Sequence, residues 1–123
     1  MTLESESYFS LRTKKKDGSF VDTPVWFVRA PEAHAYYVFA NINSGKVKRI
    51  RNFAEVAVAV CDWRGKILGS WLSARAELVA ESEGIYAGFG AKYGLTYRVF
   101  DFFSRLGGKR KERQIILVHH VAE

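Results

Sequence analysis

The sequence has little of several residue types, and each shortage excludes a class of protein. Cys61 is the only cysteine among 123 residues, so no disulfide can form within one chain, which is typical of the reducing cytosol. Two prolines and ten glycines are too few for a fibrous or linker-rich chain. No apolar run approaches the roughly eighteen residues of a membrane span. The segment Met1–Ser10 lacks the apolar core of a secretion signal, so we expect a cytoplasmic protein without a membrane partner.

The chain is instead rich in apolar and basic residues. Hydrophobic residues make up 48% and aromatic residues 15%, which is enough for a packed core and argues against disorder. We expect a single domain over residues 1–123, because no repeat or linker divides it. The net charge of +6 suits an anionic partner, which could be nucleic acid, a membrane or a phosphorylated small molecule. Much of this charge lies in three basic clusters: Lys14–Lys16, Lys46–Arg51 and Lys109–Arg113. Ordinary solvated turns and helices would also explain such clusters.

The apolar pattern predicts a protein built mainly of strands. Six strands are expected: Tyr8–Thr13, Phe20–Arg29, Tyr36–Phe39, Val56–Cys61, Ile67–Val79 and Gln114–Val121. Pro24 interrupts the second strand, because a proline cannot donate to a sheet. Helices are expected at Lys46–Glu55 and between a Ser82 cap and Gly94, with a helix or packed loop at Tyr97–Leu106. A small, mostly antiparallel barrel would close this pattern.

Side chains that could form a catalytic or metal site are sparse. His119 and His120 are neighbours in a predicted strand, where adjacent residues face opposite ways, and His34 lies beside a turn. No spacing typical of metal ligands is present. Cys61 lies in an apolar strand without a positioned base, which favours an inert core residue over a nucleophile. The sequence therefore predicts no catalytic side chain and no metal site.

The segment Asn43–Arg51 is the most informative one. A turn, Asn43-Ser44-Gly45, leads into a predicted helix that begins with Lys46. A hydroxyl, free backbone N–H groups and a lysine at a helix start form a suitable phosphate site, and the following arginine can add a forked contact. An ordinary capped basic helix would show the same pattern, so this segment by itself leaves both interpretations open.

Several short motifs follow one another in order. They are Leu11–Thr13, Asp17-Gly18, Thr23–Val28, Tyr37–Phe39, Ser44–Arg51, Val56–Ala59, Arg64-Gly65, Ala74–Ala76 and Lys92–Gly94. This ordered set resembles the pyridoxamine 5'-phosphate oxidase-like family of FMN-binding split barrels, and especially its branch assigned to the deazaflavin coenzyme F-420. Ala40 departs from the family, which often has a threonine there, so that hydroxyl contact is missing or is replaced by Asn41 or Asn43.

The resemblance implies a six-stranded antiparallel split barrel that forms a homodimer and binds FMN or coenzyme F-420 between the subunits. It also implies the cofactor-binding residues: Thr23, Pro24, Val25 and Trp26 along the ring, Ser44, Lys46 and Arg49 at the phosphate, and Trp71 as part of a wall. The protein would be a flavin- or deazaflavin-dependent oxidoreductase acting on a small organic substrate. The cofactor would carry the hydride or electrons.

Two other functions stay open at this point. One is a non-catalytic flavin- or haem-binding protein of the same fold. The other is a nucleic-acid-binding barrel, which the positive charge and the aromatic content would allow. The aromatic residues lie mostly in apolar runs and not among the basic clusters, so we expect no specific nucleic-acid partner.

Overall fold

The computed structural model describes residues 6–107 and 112–120. The helices and strands in this part of the chain are β1 Phe9–Lys14, β2 Phe20–Val25, β3 Val28–Arg29, β4 Ala35–Asn41, α1 Gly45–Asn52, β5 Glu55–Val60, β6 Leu72–Val79, α2 Glu83–Tyr93, α3 Leu95–Leu106 and β7 Arg113–His120. One curled sheet has the strand order β2-β1-β5-β6-β7-β4-β3, and each of its pairs is antiparallel. The expected mainly-β antiparallel architecture is confirmed. Most of the predicted basic cluster at Lys109, and the predicted strand end at Val121, lie outside the described residues.

The described sheet has seven strands where the sequence predicted six. The difference lies in the predicted strand Phe20–Arg29, which the structure divides into β2 and β3. Trp26 and Phe27 lie between the two, outside any strand. The backbone N–H of Phe27 donates to the hydroxyl of Tyr93 at 2.9 Å instead of to a neighbouring strand. A side chain from the end of α2 therefore satisfies the backbone where the strand is interrupted.

The sixth strand, β6, begins at Leu72 and not at Ile67 as predicted. A wide turn precedes it, in which the Asp62 carboxylate accepts hydrogen bonds from the backbone N–H groups of Arg64 and Lys66, each at 2.9 Å. Within β6 the side chains alternate between the two faces of the sheet. The core face carries Leu72, Ala74, Ala76 and Leu78, and the exposed face carries Ser73, Arg75 and Glu77.

The main core fills the inside of the curled sheet, and α1 closes it. Val47 and Ile50 of α1 are buried there against strand residues such as Phe9 and Val58. The sequence predicted a helix start after the turn Asn43-Ser44-Gly45, and Ser44 of that turn caps the helix: its hydroxyl accepts from the N–H of Val47 at 3.4 Å. The helix ends at Asn52, earlier than the predicted Glu55, because the next residues turn extended to enter β5. The core contacts thus fix where the first turn of α1 points.

A second core lies where α2 and α3 pack on the sheet. It joins Tyr86, Phe89 and Tyr97 of the helices to Val28 and Ile115 of the sheet. As predicted, Ser82 caps α2 and Gly94 ends it. Gly94 adopts φ +59, and α3 begins at the next residue. None of the helices in the described part of the chain is long and apolar enough to cross a membrane.

The predicted core position of Cys61 is confirmed. The residue is 4% exposed. Burial raises the pKa of its thiol to about 11, so the reactive thiolate is disfavoured near neutral pH.

Candidate functional site

The gap between β2 and β3 opens onto a cavity of about 350 Å³, which we call the Lys46 cavity. Its lining consists of Tyr8, Pro24, Val25, Trp26, Phe39, Lys46 and Phe100. Four predicted cofactor-binding residues therefore meet in one place, although they come from two distant segments. Pro24 has no N–H to donate, and Trp26 lies outside the strands, so main-chain groups at this edge are free of the sheet ladder.

The indole of Trp26 is held firmly beside this cavity. It stacks on Tyr93 with ring centres 4.9 Å apart and meets the ring of Phe100 edge-on at 5.6 Å. Lys92 donates to the Phe27 carbonyl at 2.8 Å, next to the Tyr93 contact. Burial raises the pKa of Tyr93 to about 12, so its hydroxyl keeps its proton. The motif Lys92–Gly94 contributed to the family resemblance, but the sequence assigned no role to it. In the structure, Lys92 and Tyr93 hold the backbone at Phe27, where the strand is interrupted.

Two cations stand at the start of α1. Lys46 is half-buried, and both this burial and the charge of Arg49 lower the pKa of Lys46. The Nε of Arg49 donates to the Thr13 hydroxyl at 2.6 Å, and its guanidinium lies so close over Gly45 that a Cβ there would be 2.5 Å from Nη1. Over residues 6–107 and 112–120 neither cation has a carboxylate within ion-pair distance. Within the described part of the chain, this pair of cations therefore has no counter-charge.

Backbone donors accompany these cations. A helix leaves the N–H groups of its first turn without partners inside the helix. The Ser44 hydroxyl accepts from the N–H of Val47, and the Ser44 carbonyl accepts from Lys48. In the described chain, the N–H groups of Gly45 and Lys46 have no partner. These donors and two unneutralised cations together suit a phosphate group.

The remaining predicted residues lie elsewhere. Ser44 and Arg49 share α1 with Lys46, and Thr23 pairs with Leu11 in the sheet, but these three are not part of the cavity lining. Trp71 lies under the guanidinium of Arg12, 3.9 Å from ring centre to Cζ. It too is absent from the lining of the Lys46 cavity in the same chain.

A second cavity of about 560 Å³ adjoins the first one, and we call it the Arg113 cavity. Its lining consists of Phe39, Ala40, Asn41, Phe100, Phe103, Ser104 and Arg113. Phe39 and Phe100 line both cavities. Sequence reasoning missed Arg113, because it looked like the last member of a solvated basic run. The structure instead buries it, with 3% of its side chain exposed.

The histidines form a separate group, outside the linings of both cavities. The rings of His34 and His120 have centres 4.8 Å apart, and His119 Nε2 lies 3.6 Å from the Glu77 carboxylate. His119 and His120 both line a cavity of about 440 Å³. Among the described residues, no group of three or more His, Cys, Asp or Glu side chains could hold a metal ion.

No family model matches the chain, and no curated protein matches it in sequence. Solved structures nevertheless share its fold. A protein of the pyridoxine-phosphate oxidase family from Clostridium acetobutylicum superposes with a TM-score of 0.63 at 13% identity, over 96% of this chain and 78% of that one. An F-420 reductase superposes with a TM-score of 0.60 at 21% identity, over 98% of this chain and 90% of that one.

A third similar structure is HutZ, the haem storage protein of Vibrio cholerae. It gives a TM-score of 0.69 at 15% identity, over 97% of this chain and 84% of that one. At such identities these similarities establish the fold. The chain has the split-barrel fold of the pyridoxamine 5'-phosphate oxidase-like proteins, as the order of its motifs predicted.

Proposed function

We propose that this protein binds FMN or the deazaflavin coenzyme F-420 and acts as an oxidoreductase on a small organic molecule. One observation carries the proposal: the half-buried Lys46 and the interrupted strand end Pro24–Trp26 line the same cavity. The fold supports it, since similar structures include an F-420 reductase and a member of the pyridoxine-phosphate oxidase family.

The phosphate would bind at the first turn of α1. The N–H groups of Gly45 and Lys46 would donate to it, together with the Lys46 ammonium and the Arg49 guanidinium. Burial and the charge of Arg49 lower the pKa of Lys46, so its ammonium group is less stabilised here than it would be in water. A bound phosphate would supply the counter-charge that the described chain lacks, and charge-assisted contacts of this kind are among the stronger hydrogen bonds. Ser44 would mainly hold the turn, because its hydroxyl caps α1.

The cofactor ring would lie along Pro24, Val25 and Trp26. Trp26 offers main-chain groups outside the ladder, and its side chain is fixed by Tyr93. Tyr8 and Phe39 would complete an apolar wall that excludes water. A bound flavin or deazaflavin supplies hydride or electron transfer itself. The protein would need only to bind, orient and shield it, so no catalytic side chain is required.

We also infer a homodimer with one cofactor in each cleft between the subunits. Within one protomer Trp71 packs on Arg12, so it would contribute to a cofactor wall only across such a cleft. We further propose that the protein works in the cytosol. Its single cysteine, Cys61, is buried and free, and a chain without a disulfide suits a reducing compartment.

We expect nucleic acid to bind only weakly and non-specifically, with an affinity that falls steeply as salt increases.

Adding cofactor to purified protein tests the proposal. FMN and coenzyme F-420 would be titrated separately into the full chain at physiological salt, and binding would be followed by fluorescence and by the absorbance spectrum. We expect saturable binding of one of the two at a ratio of one per chain. A protein that binds neither would contradict the proposal.

Haem binding is a second candidate, favoured by the two histidines at the cavity of about 440 Å³. A neutral imidazole is a common haem ligand, and His119 stands at that surface beside Glu77. Titration of haemin under the same conditions separates the two functions. A Soret band that saturates at one haem per chain and is lost in His119→Ala would favour haem storage or transport over oxidoreduction.

A further inference from the structure

The Arg113 cavity is built around a buried guanidinium. Nη1 of Arg113 lies 3.0 Å from the Asp101 carboxylate and donates to the Tyr97 hydroxyl at 3.2 Å. Nη2 is buried and has no hydrogen-bond partner among the described residues. Buried donors are nearly always satisfied, and one that is not costs free energy. A ligand that brings an oxygen acceptor to Nη2 would recover that cost.

The charges around Arg113 favour an anionic acceptor. Asp101 is shared, because Arg105 also contacts its carboxylate at 2.9 Å. One carboxylate thus faces two guanidiniums, so Asp101, Arg105 and Arg113 together carry a positive charge. A carboxylate would bind such a guanidinium more strongly than a neutral carbonyl would.

The rest of the lining favours an aromatic ligand body. The guanidinium carbon of Arg113 is 4.9 Å from the ring centre of Phe39 and 5.3 Å from that of Phe100. Phe103 adds a third ring, and it is 64% exposed in the chain. A volume of about 560 Å³ lies within the usual range of roughly 300–1,000 Å³ for small-molecule sites.

The position of this cavity suggests its use. Phe39 and Phe100 separate it from the Lys46 cavity and line both. We propose that the Arg113 cavity binds the substrate of the proposed oxidoreductase, and that this substrate is an aromatic carboxylate whose carboxyl group pairs with Arg113. The role as substrate site rests on the proposed function, whereas the preference for an aromatic carboxylate can be tested without cofactor.

The test uses 2-naphthoate and its cationic counterpart 2-naphthylmethylammonium as probes. Each is titrated by calorimetry into the cofactor-free full chain at physiological salt. We expect naphthoate to bind and the ammonium compound to bind far more weakly. Arg113→Met should weaken naphthoate binding roughly tenfold or more, the usual effect of losing a charge-assisted contact. Arg98→Met removes an exposed charge from α3, outside this cavity, and should change the affinity less than about twofold.

A second pair of variants keeps the test valid if Arg113→Met fails to fold. Phe103 lines the cavity and its neighbour Phe102 does not, yet both are largely exposed, at 64% and 59%. We expect Phe103→Ala to weaken naphthoate binding several-fold and Phe102→Ala to leave it unchanged. Equal effects within each pair, or equal affinity for both probes, would overturn the inference.

Cofactor binding is measured on the same samples, so that the two proposals can fail separately. Binding of FMN or coenzyme F-420 without selective naphthoate binding would overturn only the substrate inference. Selective binding of naphthoate through Arg113 without any cofactor binding would support the aromatic-acid site and contradict the oxidoreductase.

Discussion

The phenolic oxygen of Tyr93 lies 2.9 Å from the backbone nitrogen of Phe27, although 66 residues separate them in sequence. The same oxygen lies 2.9 Å from the Ser7 carbonyl and 3.0 Å from the Phe27 carbonyl, so it accepts from one backbone group and can donate to another. This contact holds the chain where β2 stops, directly after Pro24–Trp26. It therefore links the end of α2 to the edge of the proposed cofactor site.

Removing this hydroxyl should destabilise the protein. Phe27 is fully buried, so Tyr93→Phe leaves its N–H without an acceptor, at a cost of about 1–3 kcal/mol in the free energy of unfolding. Tyr37→Phe is a matched control, because Tyr37 is also half-buried and no hydrogen bond of its hydroxyl is described. Its cost should be within about 0.5 kcal/mol. Urea denaturation measures both, and equal losses would contradict a structural role for the Tyr93 hydroxyl.

The Tyr93 contact also predicts a dependence on pH. Burial raises the pKa of Tyr93 to about 12, above the value of about 10 in an unfolded chain. The folded state therefore holds the proton more tightly, so this contribution is complete below about pH 10 and is lost as the pH rises towards the folded pKa. The stability difference between wild type and Tyr93→Phe should shrink over that interval. A constant difference would contradict the raised pKa.

The thiol of Cys61 should be inert in the folded protein. It is buried, and its pKa is raised to about 11, so at pH 8 little thiolate forms and reagents cannot reach it. Iodoacetamide, followed by mass spectrometry, should modify it only after denaturation. Modification of the native protein as fast as of the unfolded chain would show that Cys61 is accessible.

Sequence reasoning succeeded where the signal is local. Ser82 and Gly94 mark the ends of α2 through side-chain or backbone preferences of single residues, and the turn Asn43-Ser44-Gly45 marks the start of α1 in the same way. The division of Phe20–Arg29 depends on Tyr93, which is distant in sequence, so only Pro24 hinted at it. Arg113 was missed for the same reason: Asp101 and Tyr97 make it a buried residue, and they come from α3.

The inferred homodimer can be tested by size-exclusion chromatography with light scattering. Several large apolar side chains are exposed in one protomer, among them Trp63 at 68%, Leu68 at 56% and Leu106 at 69%. Exposed apolar side chains favour association where they form a contiguous patch. We expect a dimer at micromolar concentration, and a monomer there would contradict a cofactor cleft between subunits.

The role of Lys46 in phosphate binding is the centre of the account. Charge-assisted contacts to phosphate contribute about 1.5–3 kcal/mol, so Lys46→Ala should weaken cofactor binding roughly tenfold to a hundredfold. The free energy of unfolding should change little, because in residues 6–107 and 112–120 Lys46 has no carboxylate partner to lose. Lys15→Ala removes the same charge from an exposed turn and serves as the control.

The most direct measurement is a fluorescence titration of FMN and of coenzyme F-420 into wild type, Lys46→Ala and Lys15→Ala at physiological salt. We predict that Lys46→Ala alone loses affinity, while Lys15→Ala binds as wild type does. Equal affinities in all three proteins would contradict the phosphate site at the start of α1.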